Sequence, residues 1–159
     1  MKKIITLMCL FLNIFIFSQL SGKGKVISIK DGDTVILLVE NNQSIVCRLA
    51  EIDCPEKSQA FGQNAKNFIS SLIFGKVVNY QTLSKDGYGR YVTKIYYRRQ
   101  YISEALVKNG LAWFYRKYSD NLKLDKLEKL AKKKKIGLWS DINAVAPWDY
   151  RKNKQYDYR

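Results

Sequence analysis

Between Lys23 and Ala50 the apolar positions come in short runs broken by turn residues. Val26, Ile27 and Ile29 sit in a polar frame from Lys23 to Lys30, Thr34–Val39 is rich in β-branched and aliphatic side chains, and Ile45, Cys47 and Leu49 share one face of the stretch from Gln43 to Ala50. Asp31-Gly32-Asp33 and Glu40-Asn41-Asn42 separate these runs. Both are turn chemistry, because short polar side chains bond their own backbone and glycine carries no Cβ. Three short strands joined by tight turns predict a β-meander. After Pro55 the period lengthens: Phe61, Ala65, Phe68, Ile69, Leu72 and Ile73 predict a helix within Glu56–Phe74, ended by Gly75. Two more strands are expected over Lys76–Leu83 and Arg90–Tyr97, joined through Ser84-Lys85-Asp86-Gly87-Tyr88-Gly89. Ser103 is placed to cap a short helix to about Asn109, with Glu104 in its first turn and Gly110 past its end. Asp120 is the expected cap of a last helix, with Leu124, Leu127, Leu130 and Ala131 as its stripe and Lys132–Lys135 in its final turn. The order β-β-β-α-β-β-α-α is an α+β arrangement. Five short antiparallel strands with three helices fit a five-stranded OB-fold β-barrel, an architecture that often binds nucleic acid.

The chain ends fall outside that pattern. Lys2 and Lys3 precede an apolar run from Ile4 to Phe17, interrupted only by Thr6 and Asn13. Such a run is short of the roughly 20 residues a membrane-spanning helix needs. It reads as a signal peptide over residues 1–20, cut between 18 and 22, which implies a secreted or periplasmic protein. An uncleaved anchor is the alternative. Residues 23–148 then form one domain, and the polar stretch 149–159 is expected to fray. The 159 residues include only two prolines, Pro55 and Pro147, and no linker-like segment divides them.

Charge narrows the partners. Twenty-eight Lys and Arg face 14 Asp and Glu, for a net charge of +14. A surface of that sign attracts a polyanion, either nucleic acid or an anionic membrane. Histidine is absent altogether. That excludes histidine general bases, a Ser-His-Asp triad and histidine-ligated zinc, and leaves carboxylates, Lys, Tyr or Cys for proton transfer. The natural cofactor is then a hard cation with oxygen ligands. Cys9 lies in the signal segment. Cys47 and Cys54 could pair after export or stay as buried thiols, and the sequence leaves both open.

Hydrolysis of a phosphodiester needs a positioned water, neutralised charge on phosphorus and a stabilised leaving oxygen. Asp33 opens the second strand, and Asp53 and Glu56 follow the third in Ile52-Asp53-Cys54-Pro55-Glu56. Arg48 lies between Cys47 and Leu49, where a guanidinium needs an acidic partner or an anionic ligand, and Arg90 follows the Asp86–Gly89 turn. Two such forks could clamp one phosphate. Taken singly, the acids suit ordinary turns and the arginines suit surface ion pairs.

Together these segments resemble the thermonuclease, or staphylococcal nuclease, family. The resemblance runs through Asp31-Gly32-Asp33-Thr34-Val35, Arg48 to Glu56, Asp86-Gly87-Tyr88-Gly89-Arg90, Gly110-Leu111-Ala112-Trp113 and Gly137-Leu138-Trp139, in order, over about Lys25 to Trp148. It implies an OB-fold and a Ca²⁺-dependent nuclease that cuts DNA and RNA, preferring single-stranded or frayed regions, on the 5′-oxygen side to leave 3′-phosphates. It implies Asp33 and Asp53 as carboxylate ligands of Ca²⁺, with the backbone carbonyl of Cys54 as a third. The family often has threonine at that position, so a thiol beside the metal is a departure. Glu56 matches the general base, Arg48 and Arg90 the phosphate arginines, and Tyr88 a residue of the nucleotide pocket. Tyr115 and Tyr118 fall near further pocket tyrosines at a different spacing. A monomer is expected. Two other readings stand beside this one: a non-catalytic OB module that binds nucleic acid, and a cationic protein acting on membranes.

Overall fold

In the computed structural model residues 20–157 are described, with side chains through 153. The expected signal segment therefore lies outside the described residues, apart from Leu20. Strands β1 (Ser21–Ile29), β2 (Thr34–Leu38) and β3 (Ser44–Leu49) form the expected antiparallel meander. The register of β1 against β2 slips between Val26 and Ser28. A bulge adds one residue and flips the faces beyond it. Val26 and Ile29 are both buried while Ile27 is exposed, which explains why the apolar residues of β1 do not alternate cleanly.

β4 (Ile52–Asp53) leads into an irregular loop and then α1 (Gly62–Ile73), which lays Ala65, Ile69 and Ile73 against the barrel at successive turns. β5 (Val77–Lys85) returns antiparallel to β1, and β6 (Tyr91–Tyr97) pairs antiparallel with β5. The closing seam is parallel: Cys47, Arg48 and Leu49 of β3 face Tyr91, Val92 and Thr93 of β6. The strand order β3-β2-β1-β5-β6 thus closes on itself, so the five-stranded barrel is mixed rather than wholly antiparallel. β7 (Gln100–Tyr101) extends β6 into α2 (Ile102–Lys108), and β8 (Trp113–Phe114) pairs with β4 ahead of α3 (Leu122–Lys133). Leu37, Leu49, Ile52, Ile69, Ile95, Ile102, Leu106 and Leu124 are fully buried. Each such side chain contributes about 1.5–3 kcal/mol relative to exposure.

Four local expectations change. The helix sought within Glu56–Phe74 begins at Gly62, because the loop ahead of it closes on itself: the Gln59 side chain accepts the Glu56 N–H at 2.8 Å and Phe61 adopts φ 66°. Ser103 does not cap α2; it lies within it, fully buried, and donates to the Ala50 carbonyl at 2.9 Å. Asn121 rather than Asp120 caps α3, accepting the N–H groups of Lys123 (3.0 Å) and Leu124 (3.3 Å). A fourth helix, α4 (Pro147–Asp157), forms where a frayed tail was expected.

Candidate active site

The β1–β2 turn, the end of β3, the β4 loop and the β5–β6 hairpin meet along one cleft of about 910 Å³. Asp33, Arg48, Asp53, Cys54, Glu56, Tyr88, Arg90, Tyr115 and Tyr118 all line it, so the structure brings together every residue singled out above. Four local devices place the acids and arginines. The Asp31 carboxylate accepts the Asp33 N–H at 3.1 Å, an Asx turn that aims Asp33 at the start of β2. Gly32 lets this turn pass against the loop, since a Cβ there would lie 2.7 Å from the Ala65 Cβ and 2.9 Å from the Cys54 Cβ. Asp33 Oδ2 accepts the Cys54 N–H at 3.1 Å, which joins β2 to the β4 loop. Asp86 folds the hairpin, accepting the N–H groups of Tyr88 and Arg90 at 3.0 Å each and the Arg90 Nε–H at 2.8 Å.

These groups form one hydrogen-bonded chain. Arg90 Nη1 donates to Thr34 Oγ1 at 3.2 Å, and that hydroxyl donates to Asp33 Oδ1 at 3.1 Å. Arg48 Nη2 lies 3.4 Å from Asp33 Oδ2 and 2.6 Å from Asp53 Oδ1, while its Nη1 donates to the Ile52 carbonyl at 2.9 Å. Arg151 of α4 then bridges Asp53 Oδ2 and Glu56 Oε1, each at 2.7 Å. Reasoning from sequence missed Arg151. Its signal was Pro147 followed by Asp149, the pairing of a proline and an acid that opens a helix.

Aromatic rings form the rim. Tyr88 is 88% exposed, with Arg90 5.5 Å from its ring centre. Tyr115 stacks on Trp148 at 5.1 Å and meets Tyr118 edge-on at 4.8 Å. Glu51 anchors this side: its carbonyl accepts the Tyr115 N–H at 2.9 Å, and its carboxylate accepts Tyr101 Oη (2.8 Å), Ser119 Oγ (3.0 Å) and Asn121 Nδ2 (3.2 Å). Burial would raise the Glu51 carboxyl, but the Tyr101 hydrogen bond and the Lys94 charge outweigh it and hold the group below its ordinary value.

Electrostatically the cleft is crowded with acid. Burial first, and then the Asp33 charge, push Asp31 up to about 6. Burial also raises Asp53, and Asp33 adds to the rise, against the pull of Arg151 and Arg48. Burial disfavours the charged form of Arg48, yet Asp33 and Asp53 overcome it and keep the guanidinium protonated. Carboxylates that penalise one another in this way suit a divalent cation, whose charge relieves them. Among the described residues no three Asp, Glu or Cys side chains already gather as a complete ligand set. Two carboxylates with a main-chain carbonyl and waters fall short of that count and still satisfy Ca²⁺. Cys47 and Cys54 are both free and buried. Burial raises the Cys54 thiol well above its usual value, so it offers no thiolate to a metal.

Gly62 sets the geometry of the Glu56 loop, because a Cβ there would overlap the Glu56 carbonyl oxygen. Gly62→Ala must shift backbone rather than a flexible side chain. It should cost about 1–3 kcal/mol in a thermal melt and lower turnover at the same time. An unchanged melt would show that the loop yields freely.

An OB barrel with arginines and carboxylates joined along one cleft is built to handle phosphodiesters, and comparison with known proteins gives the class directly. The family model described as "Staphylococcal nuclease homologue" matches residues 46–141, more than half of the chain. An "Uncharacterized endonuclease" of Haemophilus influenzae is 39% identical over 158 residues, covering 97% of this chain and 89% of that protein. A "Micrococcal nuclease" of Shigella flexneri is 39% identical over 141 residues, covering 82% and 80%. The Arabidopsis thaliana "Staphylococcal-like nuclease CAN1" is 37% identical over 108 residues, covering 68% of this chain and 33% of the plant protein. The chain belongs to the staphylococcal nuclease family and is a hydrolase, a nuclease.

Proposed function

We propose that the chain is an exported, monomeric, Ca²⁺-dependent endonuclease that hydrolyses DNA and RNA at the bond between phosphorus and the 5′-oxygen, leaving 3′-phosphates. The observation that carries this reading is the unbroken run from Arg90 through Thr34, Asp33, Arg48, Asp53 and Arg151 to Glu56 in one cleft. Asp33, Asp53 and the Cys54 carbonyl would hold Ca²⁺, which when bound neutralises phosphate charge. Glu56, 40% exposed at the side chain, orders the attacking water and takes its proton. Arg48 from β3 and Arg90 from the turn ahead of β6 approach the phosphate and stabilise the charge that grows as the water–phosphorus bond forms and the bond to the 5′-oxygen breaks. Tyr88, Tyr115 and Tyr118 offer faces and hydroxyls to a nucleotide. A base reaches them only once it leaves the duplex stack, which favours single-stranded or frayed substrate. The basic surface draws in the polyanion. Export rests on the Lys2-Lys3 start and the apolar run to Phe17.

Heat-denatured DNA and RNA should be degraded in millimolar Ca²⁺ and left intact in excess chelator. The products should resist 3′ extension by a polymerase until a phosphatase has removed the terminal phosphate. Equal cleavage in chelator would overturn the metal assignment, and products extended without phosphatase would overturn the bond assignment.

A further inference from the structure

We propose that Arg151 is a positioning residue for Glu56, and that helix α4 is thereby part of the catalytic apparatus. The proposal rests on the nuclease reading above. Glu56 sits in the irregular loop between β4 and α1, where no regular element fixes its side chain. Arg151 supplies what the loop lacks. Its planar fork gives Nη1 to Glu56 Oε1 and Nη2 to Asp53 Oδ2, both at 2.7 Å, while Nη1 also lies 3.4 Å from Asp53 Oδ1. One rigid group thus sets the distance between a loop carboxylate and a strand carboxylate that is itself only 2% exposed. The hydrogen bond from Arg151 holds Oε1 of Glu56.

The rest of α4 is organised around the same loop. Gln59 accepts the Glu56 N–H through its Oε1 at 2.8 Å and donates from Nε2 to the Val145 carbonyl at 3.1 Å, tying the Glu56 backbone to the approach to α4. Tyr150 Oη lies 3.0 Å from Ser58 Oγ. Trp148 stacks on Tyr115 and meets Trp113 edge-on at 5.6 Å. Helix and loop are therefore held to each other at several points, and the guanidinium reaches Glu56 from a fixed base. Displacing a reacting group by about 1 Å can cost ~10²-fold in rate. A free rotamer at Glu56 displaces it by more than that.

The test is steady-state cleavage of a short single-stranded oligonucleotide by the full chain and its Arg151→Ala, Arg151→Lys, Glu56→Gln and Arg151→Ala/Glu56→Gln variants, with Ca²⁺ binding followed by calorimetry. Arg151→Ala should lower kcat by about 10–100-fold with KM within about 3-fold, and Arg151→Lys should recover part of the loss. In the Glu56→Gln background the same replacement should add little, because the group that Arg151 positions is already gone. Ca²⁺ affinity of Arg151→Ala should hold or rise, since a cation beside Asp53 has been removed. A structural role alone would instead weaken Ca²⁺ binding and lower the melting temperature. Full multiplication of the two effects would make Arg151 an independent phosphate contact and overturn the proposal, as would unchanged kcat in Arg151→Ala. If the unaltered chain shows no Ca²⁺-dependent cleavage, the nuclease reading itself fails, which is a different result from an active enzyme indifferent to Arg151.

Discussion

Arg48→Ala should lower kcat by about 10²–10³-fold and the melting temperature by about 10 °C, whereas Arg90→Ala should lose comparable turnover with little change in melting. The two arginines face the same cleft but answer to different surroundings. Arg90 pairs with Asp86 inside its own hairpin, and both side chains are partly exposed, at 27% and 19%. Deleting it returns Asp86 to water, so the stability cost is that of an ordinary surface pair, about 0–1 kcal/mol. Arg48 is 14% exposed and pairs with Asp53, which is 2% exposed, and it also bonds the Ile52 carbonyl. Its removal strands a carboxylate that folding has already taken out of water. Breaking such a pair costs about 3–5 kcal/mol. Arg151 still touches Asp53, which places the expected loss near the lower end, about 3 kcal/mol or roughly 10 °C in a domain of this size. Turnover should fall in both variants if, as proposed, each arginine stabilises the phosphate, a loss of about 10²–10³-fold per donor. Calorimetric melts beside single-turnover rates separate the two effects. An Arg48→Ala protein that melts with the unaltered chain would contradict the buried pair, and one that keeps its rate would remove Arg48 from the chemistry.

The split between the arginines shows which parts of this molecule can be read along the chain and which cannot. Strands β2 and β3 were legible because their signal is local: period-two burial at Val35 and Leu37 and at Ile45, Cys47 and Leu49, bounded by turn chemistry. The bulge in β1 was not, since one added residue breaks the period without leaving a composition cue. Nor was the parallel β3–β6 seam, which joins residues more than 40 positions apart and depends on how the whole sheet coils. Arg48, Asp53 and Glu56 stood out because charged groups crowd beside buried strand ends, and the resemblance then assigned them roles. Arg151 stayed hidden for a physical reason. Residues 149–157 carry no apolar stripe, so helix periodicity has nothing to register there. Trp148, Tyr150 and ion pairs fix α4 from its first turns instead. The Tyr115–Tyr118 loop was placed near the site without its anchor, Glu51, whose φ of 71° and four side-chain partners emerge only when distant segments meet.

Glu128 should prove the most expensive single position to alter outside the cleft. It is a fully buried carboxylate on α3, and three donors converge on it: the Phe114 N–H at 2.9 Å, Arg116 Nη2 at 2.8 Å and Lys132 Nζ at 3.0 Å. Phe114 belongs to β8, whose partner strand β4 carries Ile52 and Asp53, so the carboxylate holds a strand that in turn holds the cleft. Glu128→Ala removes one acceptor from a buried backbone N–H and two from cations, and leaves a void beside Leu124 and Ala131. The expected cost is about 3–5 kcal/mol. Glu128→Gln preserves the shape and can still accept from Phe114, but its amide then presents N–H groups to Arg116 and Lys132, donor against donor. It should therefore recover less than half of the loss. Denaturant unfolding with matched slopes measures both variants directly. Activity should follow stability: near normal for the Gln variant well below its melting point, and lost for both at temperatures where β8 detaches from β4. If Glu128→Gln is as stable as the unaltered chain, the Arg116 and Lys132 contacts contribute nothing, and the carboxylate serves only the Phe114 N–H.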